Sequence, residues 1–297
     1  MRGARVHSDL IADLGLPVSR ETQQIGNTIA DAFGSSSLAV LHYGSRLHAS
    51  SAPTDSAFDF FVIVESTRAA LESFEQRQRP RVSARAATMM ARVLAPSVIG
   101  VRAPGAAPHG AKCVVLTLAD LTCACGAASD DHFVKGRVVQ PMRLVWRRDE
   151  YARAAVQNCL VEARAGTFYW LRPRLTDVFD VAAYCACMLE TSYRSEIRLE
   201  SSARAAAVTA AHGPSLHELY APLLERLHAD GELARDGESF RLLHAVTKAE
   251  RWRVRRYLAR SKVRGVLRWP KSALLYDHWF QYVRRKARRM VSAKGAR

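Results

Sequence analysis

Apolar and polar residues alternate differently in the two halves of the chain. In the first half, Leu38 to His42, Phe58 to Val64, Val98 to Val101 and Lys112 to Leu118 are short apolar runs bounded by Gly, Pro and Ser, the pattern of buried strands. Between them lie helical stretches. Ser19 reads as the N-cap of a helix carrying Ile25, Ile29, Ala32 and Phe33 on one face and ending at Gly34. Thr67 to Gln78 and Val82 to Leu94 follow as helices separated at Pro80. Beyond Arg148 the strand pattern stops and helical composition takes over, in Asp149 to Ala165, Leu175 to Glu190, Ser202 to Ala211, Leu216 to His228 and Phe240 to Leu258. The expected architecture is an α/β (α+β) domain with a mixed sheet over residues 20–148 and an all-helical domain over 149–267. A basic amphipathic tail over 268–297 completes it.

One strand carries an acid. Asp59 interrupts the apolar run from Phe58 to Val64, and a carboxylate in such a strand is costly unless it is paired or holds a metal. The preceding run ends in Tyr43-Gly44-Ser45, where a glycine lets the backbone approach a phosphate and Ser45 offers a hydroxyl and an N–H. A Gly-Ser turn followed by an acidic strand is the arrangement of a nucleotidyltransferase. The same residues also suit a plain strand end with a solvated Asp. Nucleotidyltransferases of the DNA polymerase β-like superfamily commonly carry two acids flanking one residue, and here the first of those places is Ala57. Asp55 does not replace it, because four residues along a strand displace a side chain by about 13 Å.

Composition adds a charge asymmetry. From Arg241 to Arg297 there are 18 Lys and Arg against Glu250 and Asp277, so the formal net charge of +16 lies within the last 57 residues. The first 240 residues balance to zero. Such a field calls for an anionic partner, a membrane surface or a nucleic acid. The 7 lysines are outnumbered by 37 arginines, and this Arg- and Ala-rich usage suggests a GC-rich bacterial source. Six cysteines fall as CxC pairs and singles with no CxxC, which speaks against a zinc site and for packing in a reducing compartment. No apolar stretch approaches the roughly 20 residues that span a bilayer, and the opening residues, with Asp9 and Asp13, resemble neither a secretory signal nor a transit peptide.

Three further islands bear on chemistry. Lys112 opens an apolar strand that leads to Asp120-Leu121. Val134-Lys135-Gly136-Arg137 with Gln140-Pro141 places two cations about a glycine, suited to a triphosphate or to a basic turn. Ser192-Tyr193-Arg194-Ser195-Glu196-Ile197-Arg198 is either a cleft-lining segment or an ion-paired surface. In order, the islands resemble the mitochondrial translocator assembly and maintenance family of phosphatidate cytidylyltransferases and its bacterial relatives. That family shows a Tyr-Gly-Ser turn, a strand with a single Asp, a Lys-led strand ending in Asp-Leu, a Gly-Arg…Lys-Pro segment and a Ser-Tyr-x-Gly-Asp-x-Arg segment. The likeness runs from about residue 38 to 200. Gln140 stands at the family's Lys, Ser195 at its Gly and Glu196 at its Asp.

The resemblance implies Mg²⁺-dependent conversion of CTP and phosphatidic acid to CDP-diacylglycerol and pyrophosphate. It implies Asp59, Lys112 and Arg137 as catalytic residues, with Asp59 on the metal. Tyr43, Gly44, Ser45, Lys135, Tyr193, Glu196 and Arg198 would bind nucleotide. The alternatives are transfer to RNA, protein or a small molecule, and a non-catalytic RNA-binding protein. In the tail, Trp279, Tyr282, Arg284, Arg285, Lys286, Arg288 and Arg289 lie on one amphipathic helix, which fits an anchor on anionic membrane, an RNA-binding helix or a core helix with a basic face. Lys271, beside Pro270, is a further candidate for the cleft. The expected location is peripheral, on the cytoplasmic face of a bacterial inner membrane.

Overall fold

A computed structural model describes residues 8–47, 57–106, 110–195, 202–276 and Arg284, with backbone alone for 202–209. Glu196, Arg198, Trp279, Tyr282, Arg285, Lys286, Arg288 and Arg289 lie outside the described residues. The first helix, α1 (Arg20–Phe33), is capped by the Ser19 hydroxyl, which accepts from the Thr22 N–H, and is closed by Gly34 at φ 65°. Strands β1 (Ser37–Tyr43) and β2 (Phe58–Val64), helices α2 (Thr67–Gln78) and α3 (Ala84–Val93), then strands β3 (Ser97–Val101) and β4 (Ala111–Thr117) follow. Next come α4 (Leu118–Cys125), α5 (His132–Val138) and β5 (Met142–Arg147).

The five strands form one mixed sheet in the order β3-β4-β2-β1-β5. β2 and β4 run parallel and the other neighbours antiparallel. Strand periodicity sends Phe58, Phe60, Val62 and Val64 to one face, where they pack with Ile25, Ile29 and Phe33 of α1, Leu71 and Phe74 of α2 and Ala84 and Ala87 of α3. Phe61 and Ile63 point to the other face, under Leu121 and Cys125 of α4 and Val134 and Val138 of α5. Val156 and Leu160 of α6 (Glu150–Ala165) complete that layer. Strand β5, built from Met142 to Arg147, was not among the sequence expectations, because its buried Arg143 breaks the apolar run.

The remaining elements are α7 (Thr167–Leu171), β6 (Val178–Phe179), α8 (Val181–Arg194), α9 (Ser202–Ala229), β7 (Leu233–Asp236), β8 (Ser239–Leu242) and α10 (Lys248–Leu275). They gather around Phe168, Tyr184, Met188, Leu216, Tyr220, Leu223 and Phe240 in a core of their own. The second half is therefore not all-helical: β6, β8 and β7 make a three-stranded antiparallel sheet. Residues 240–242, expected as helix, pair across a hairpin whose two-residue loop begins at Gly237, φ 61°. A glycine with positive φ at that place fits the twist of the flanking strands, and it overrides the helical composition around it. The two stretches expected as separate helices over 202–228 are one helix, which runs through Pro214 and Pro222 and buries Leu216, Leu219, Tyr220, Leu223, Leu224 and Leu227 along one stripe.

A buried arginine ties the segments together. Arg164 of α6 spends all five guanidinium donors: two on the Asp13 carboxylate at 2.7 and 2.9 Å, and the others on the carbonyls of Leu10, Val138 and Gln140. Asp13 also accepts the Met142 N–H at 2.6 Å. Of the cysteines, Cys113, Cys125, Cys159 and Cys185 are buried, and desolvation pushes the Cys185 thiol up to about 12. They serve packing.

Candidate active site

β1 and β2 are antiparallel neighbours, and their register sets Tyr43 opposite Asp59; β2 and β4 set Asp59 beside Lys112. Register partners share a face, so Tyr43, Asp59 and Lys112 form one row across three adjacent strands. The row lies at the end of β1 and the starts of β2 and β4; Tyr43 is buried in the core with its ring 4.8 Å from that of Phe61, and Asp59 and Lys112 are part-exposed beside it. Lys112 Nζ stands 3.3 Å from Asp59 Oδ1, and the two side chains keep 16% and 24% of their exposure. Among the described residues Asp59 forms no other ion pair, so its second oxygen keeps acceptor capacity.

Gly44 turns the chain directly over this carboxylate. Its φ of 88° is a conformation that side chains rarely adopt, and a Cβ placed there would lie 3.0 Å from Asp59 Oδ2. The turn continues as a 3₁₀ segment, Ser45–Leu47, in which the Leu47 N–H donates to the Gly44 carbonyl at 3.0 Å. Beneath it, on the opposite face of the sheet, His42 packs against Phe58 and Phe60 with ring centroids 5.8 and 5.0 Å away. Burial drives its imidazole down to about 4, opposed by Asp59 and assisted by Arg143 and Arg46, and its Nε2 is buried without a hydrogen-bond partner. Arg46 lies over the Phe58 ring at 4.6 Å.

The row continues to a residue with no signal in the sequence. Gly100 of β3 pairs with Lys112, and a Cβ at Gly100 would meet the Tyr276 ring at 2.5 Å. The buried ring of Tyr276, just past the end of α10, therefore stands where the next side chain of the row would be. A residue larger than glycine at position 100 would expel it.

The other expected residues occupy a second cluster. Lys135 and Arg137 lie on helix α5 and not on an open turn, because Asp131 caps a helix whose Val134 and Val138 face the sheet. Lys135 is buried and donates to the Gly126 carbonyl at 2.8 Å, and desolvation lowers its pKa. Arg137 donates to the Phe133 carbonyl at 2.6 Å and covers the Phe133 ring at 3.8 Å. Gly136 and Ser192, far apart in sequence, do meet: a Cβ at Gly136 would lie 2.7 Å from His132 Cδ2 and 3.1 Å from Ser192 Oγ. His132 bonds Ser192 Oγ at 3.1 Å and Tyr257 at 3.0 Å, so this close approach locks α5 to α8 and α10. Tyr193, on α8, is half-buried against the helical core.

Two acids and a lysine have structural partners. Asp120 is the third residue of α4 and closes a capping box with Thr117. Asp131 forms a buried ion pair with Arg268 of α10. Lys271 does not enter the cleft: its ammonium donates to the carbonyls of Leu94 and Pro96, before the start of β3, whereas Lys112 pairs with Gly100 near its end. Burial, with Arg268 nearby, brings its pKa down to about 8. Arg284 is helical and exposed.

Among the described residues no group of three His, Cys, Asp or Glu is placed to hold a metal ion. The donor set at the row is one carboxylate. That fits Mg²⁺, which keeps waters and binds through one or two carboxylates together with substrate phosphates, better than a metal needing an all-protein cage. None of the described helices is long and apolar enough to cross a membrane. A scan of the chain against protein-family models finds no match, and neither does a search of curated proteins.

Proposed function

We propose that the protein is a nucleotidyltransferase, with CTP as nucleotide donor and the phosphate of phosphatidic acid as acceptor. The observation that carries the reading is the juxtaposition of a part-exposed carboxylate, an ammonium 3.3 Å from it and a positive-φ glycine so close to the carboxylate that a Cβ there would lie 3.0 Å from Asp59 Oδ2. An ion pair serving stability alone has no use for the glycine turn above it. The fold around it, a mixed sheet covered on both faces, holds the three groups on rigid strands.

In this reading the Gly44-Ser45 turn receives the β- and γ-phosphates, where the backbone approaches most closely. Lys112 neutralises charge on the triphosphate as a compact point charge. Asp59 holds Mg²⁺, which when bound supplies Lewis-acid neutralisation of the phosphoryl oxygens. A lipid phosphate oxygen attacks the α-phosphorus in line. The new P–O bond forms as the bond from the α-phosphorus to the β-bridging oxygen breaks, and pyrophosphate leaves. The attacking oxygen is already anionic at neutral pH, so no residue is needed to remove a proton. Lys135 and Arg137, held in α5, contribute positive potential and not direct contact.

The test is to incubate the protein with CTP labelled in the α-phosphate, Mg²⁺ and detergent-dispersed phosphatidic acid, and to follow label into the organic phase. Label in a lipid nucleotide is expected. Label in RNA, protein or a water-soluble acceptor instead would replace the lipid assignment, and no transfer to any acceptor would remove the enzymatic one.

A further inference from the structure

Helix α10 has an outer face that the described residues leave exposed. Val254, Ser261, Arg268, Lys271 and Leu275 are its buried positions, and they attach it to the rest of the protein. Trp252, Val263, Val266, Leu267 and Leu274 are between 49 and 61% exposed. Their spacing of three, four and seven residues from Val263 onward, with exposed Pro270 among them, sets them on one side of the helix, opposite the buried positions. Val263, Val266, Leu267 and Leu274 extend for about 16 Å along it, and Trp252 stands about 16 Å before them, past Arg256 and Ala259. A run of large apolar side chains this long on a surface marks a contact site.

Charge identifies the kind of contact. The 28 residues of α10 carry ten Lys and Arg against Glu250 alone, and Glu250 is spent on the helix cap. Arg251, Arg253, Arg255, Arg256, Arg260 and Lys262 are exposed and border the apolar row; Arg256 lies over the Trp252 ring at 5.2 Å. A second copy of the chain would bring two such cationic borders together. A nucleic acid would gain little from an aliphatic centre, since base stacking needs aromatic planes and the row offers only Trp252. An aliphatic stripe bordered by Arg and Lys is matched by a lipid surface, where the stripe enters the acyl boundary and the cations reach anionic headgroups.

We infer that the outer face of α10, from Trp252 to Leu274, is a docking surface for an anionic membrane. The inference stands apart from nucleotidyl transfer, although it deepens that reading by placing the lipid beside the site. Tyr276, one turn or less beyond the stripe, has its ring on Gly100 in the row of Lys112 and Asp59. Docking α10 therefore sets the end of the row near the lipid surface.

The experiment is flotation of the full chain with vesicles of phosphatidylcholine alone or of phosphatidylcholine mixed with phosphatidylglycerol, an anionic lipid that is not the proposed acceptor and gives the vesicle a negative surface potential. The wild type is expected to float with the anionic vesicles, to be released as salt rises, and to ignore neutral ones. The double variant V263E/L267E should retain the wild-type melting temperature and bind anionic vesicles at least about tenfold more weakly, since two exposed aliphatic side chains become anions at a negative surface. A second variant, R255Q/R260Q, should shift release to lower salt. Equal vesicle binding by V263E/L267E and wild type would overturn the inference, as would a wild type that binds only RNA. Either result leaves transfer to dispersed phosphatidic acid untouched, so the two proposals fail separately.

Discussion

Two ion pairs in this molecule differ in everything except their chemistry. Asp13 and Arg164 are buried, and every guanidinium donor has an acceptor. Asp59 and Lys112 meet by one contact at 3.3 Å, stay part-exposed and lie beneath a glycine turn. The first is closed: nothing can be added to it, and its role is to hold the N-terminal segment, α6 and the approach to β5 together. The second is part-exposed, and among the described residues its carboxylate forms no other ion pair. A buried pair with every donor satisfied holds the fold; a part-exposed pair on a rigid row is the one that the proposed function puts to use.

The strongest test of the closed pair is Arg164→Met. It strands the Asp13 carboxylate in the interior and should cost about 3–5 kcal/mol in urea unfolding, whereas the double variant D13L/R164M should recover most of the loss. A single variant as stable as wild type would dissolve the contrast.

Next in size is the acid sensitivity of the support beneath the open pair. His42 titrates near 4 in the folded protein and near 6.5 when unfolded, so the unfolded chain binds its proton first. Its contribution is complete above about pH 6.5 and is lost as pH falls through 4, amounting to about 3 kcal/mol. Thermal melts from pH 7 to 4 should show that loss, and His42→Phe should flatten it.

Gly44→Ala forces a side chain into a left-handed turn and against Asp59 Oδ2. A cost of about 1–2 kcal/mol in stability is expected, with nucleotide transfer reduced about 10²-fold, the effect of a 1 Å misplacement. Smallest in stability is Lys112→Met. Loss of a part-exposed pair should change urea unfolding by about 1 kcal/mol or less while transfer falls about 10²–10³-fold. Matching stability losses at Lys112 and Arg164 would mean that both pairs are structural.

How much of this was legible varied with the range of the interaction. Four strands of the large sheet, the Ser19 cap and Gly34 follow from local spacing, whereas the pairing of Asp59 with Lys112 is set by the long-range register of β2 on β4. The order of the islands along the chain does not reveal that Gly136 and Ser192 meet, and their product is a packing contact through His132. The small sheet was missed despite a local sign, the Asp236-Gly237 dipeptide at the head of a hairpin. Arg164 and Tyr276 gave no sign at all. An arginine at a helix position looks like any solvated one until Asp13 and three carbonyls converge on it, and Tyr276 acquires meaning only when Gly100 is its neighbour.

The measurement that most directly tests the open pair is the thermal melt of wild type and Asp59→Ala, each with and without Mg²⁺ and CTP. Wild type should gain stability from the nucleotide, about 2.7 kcal/mol at a hundred times the dissociation constant. Asp59→Ala should melt at the wild-type temperature without ligand and gain nothing with it. An Asp59→Ala protein that is stabilised by Mg²⁺ and CTP as much as wild type, or one that unfolds as Arg164→Met does, would contradict the account.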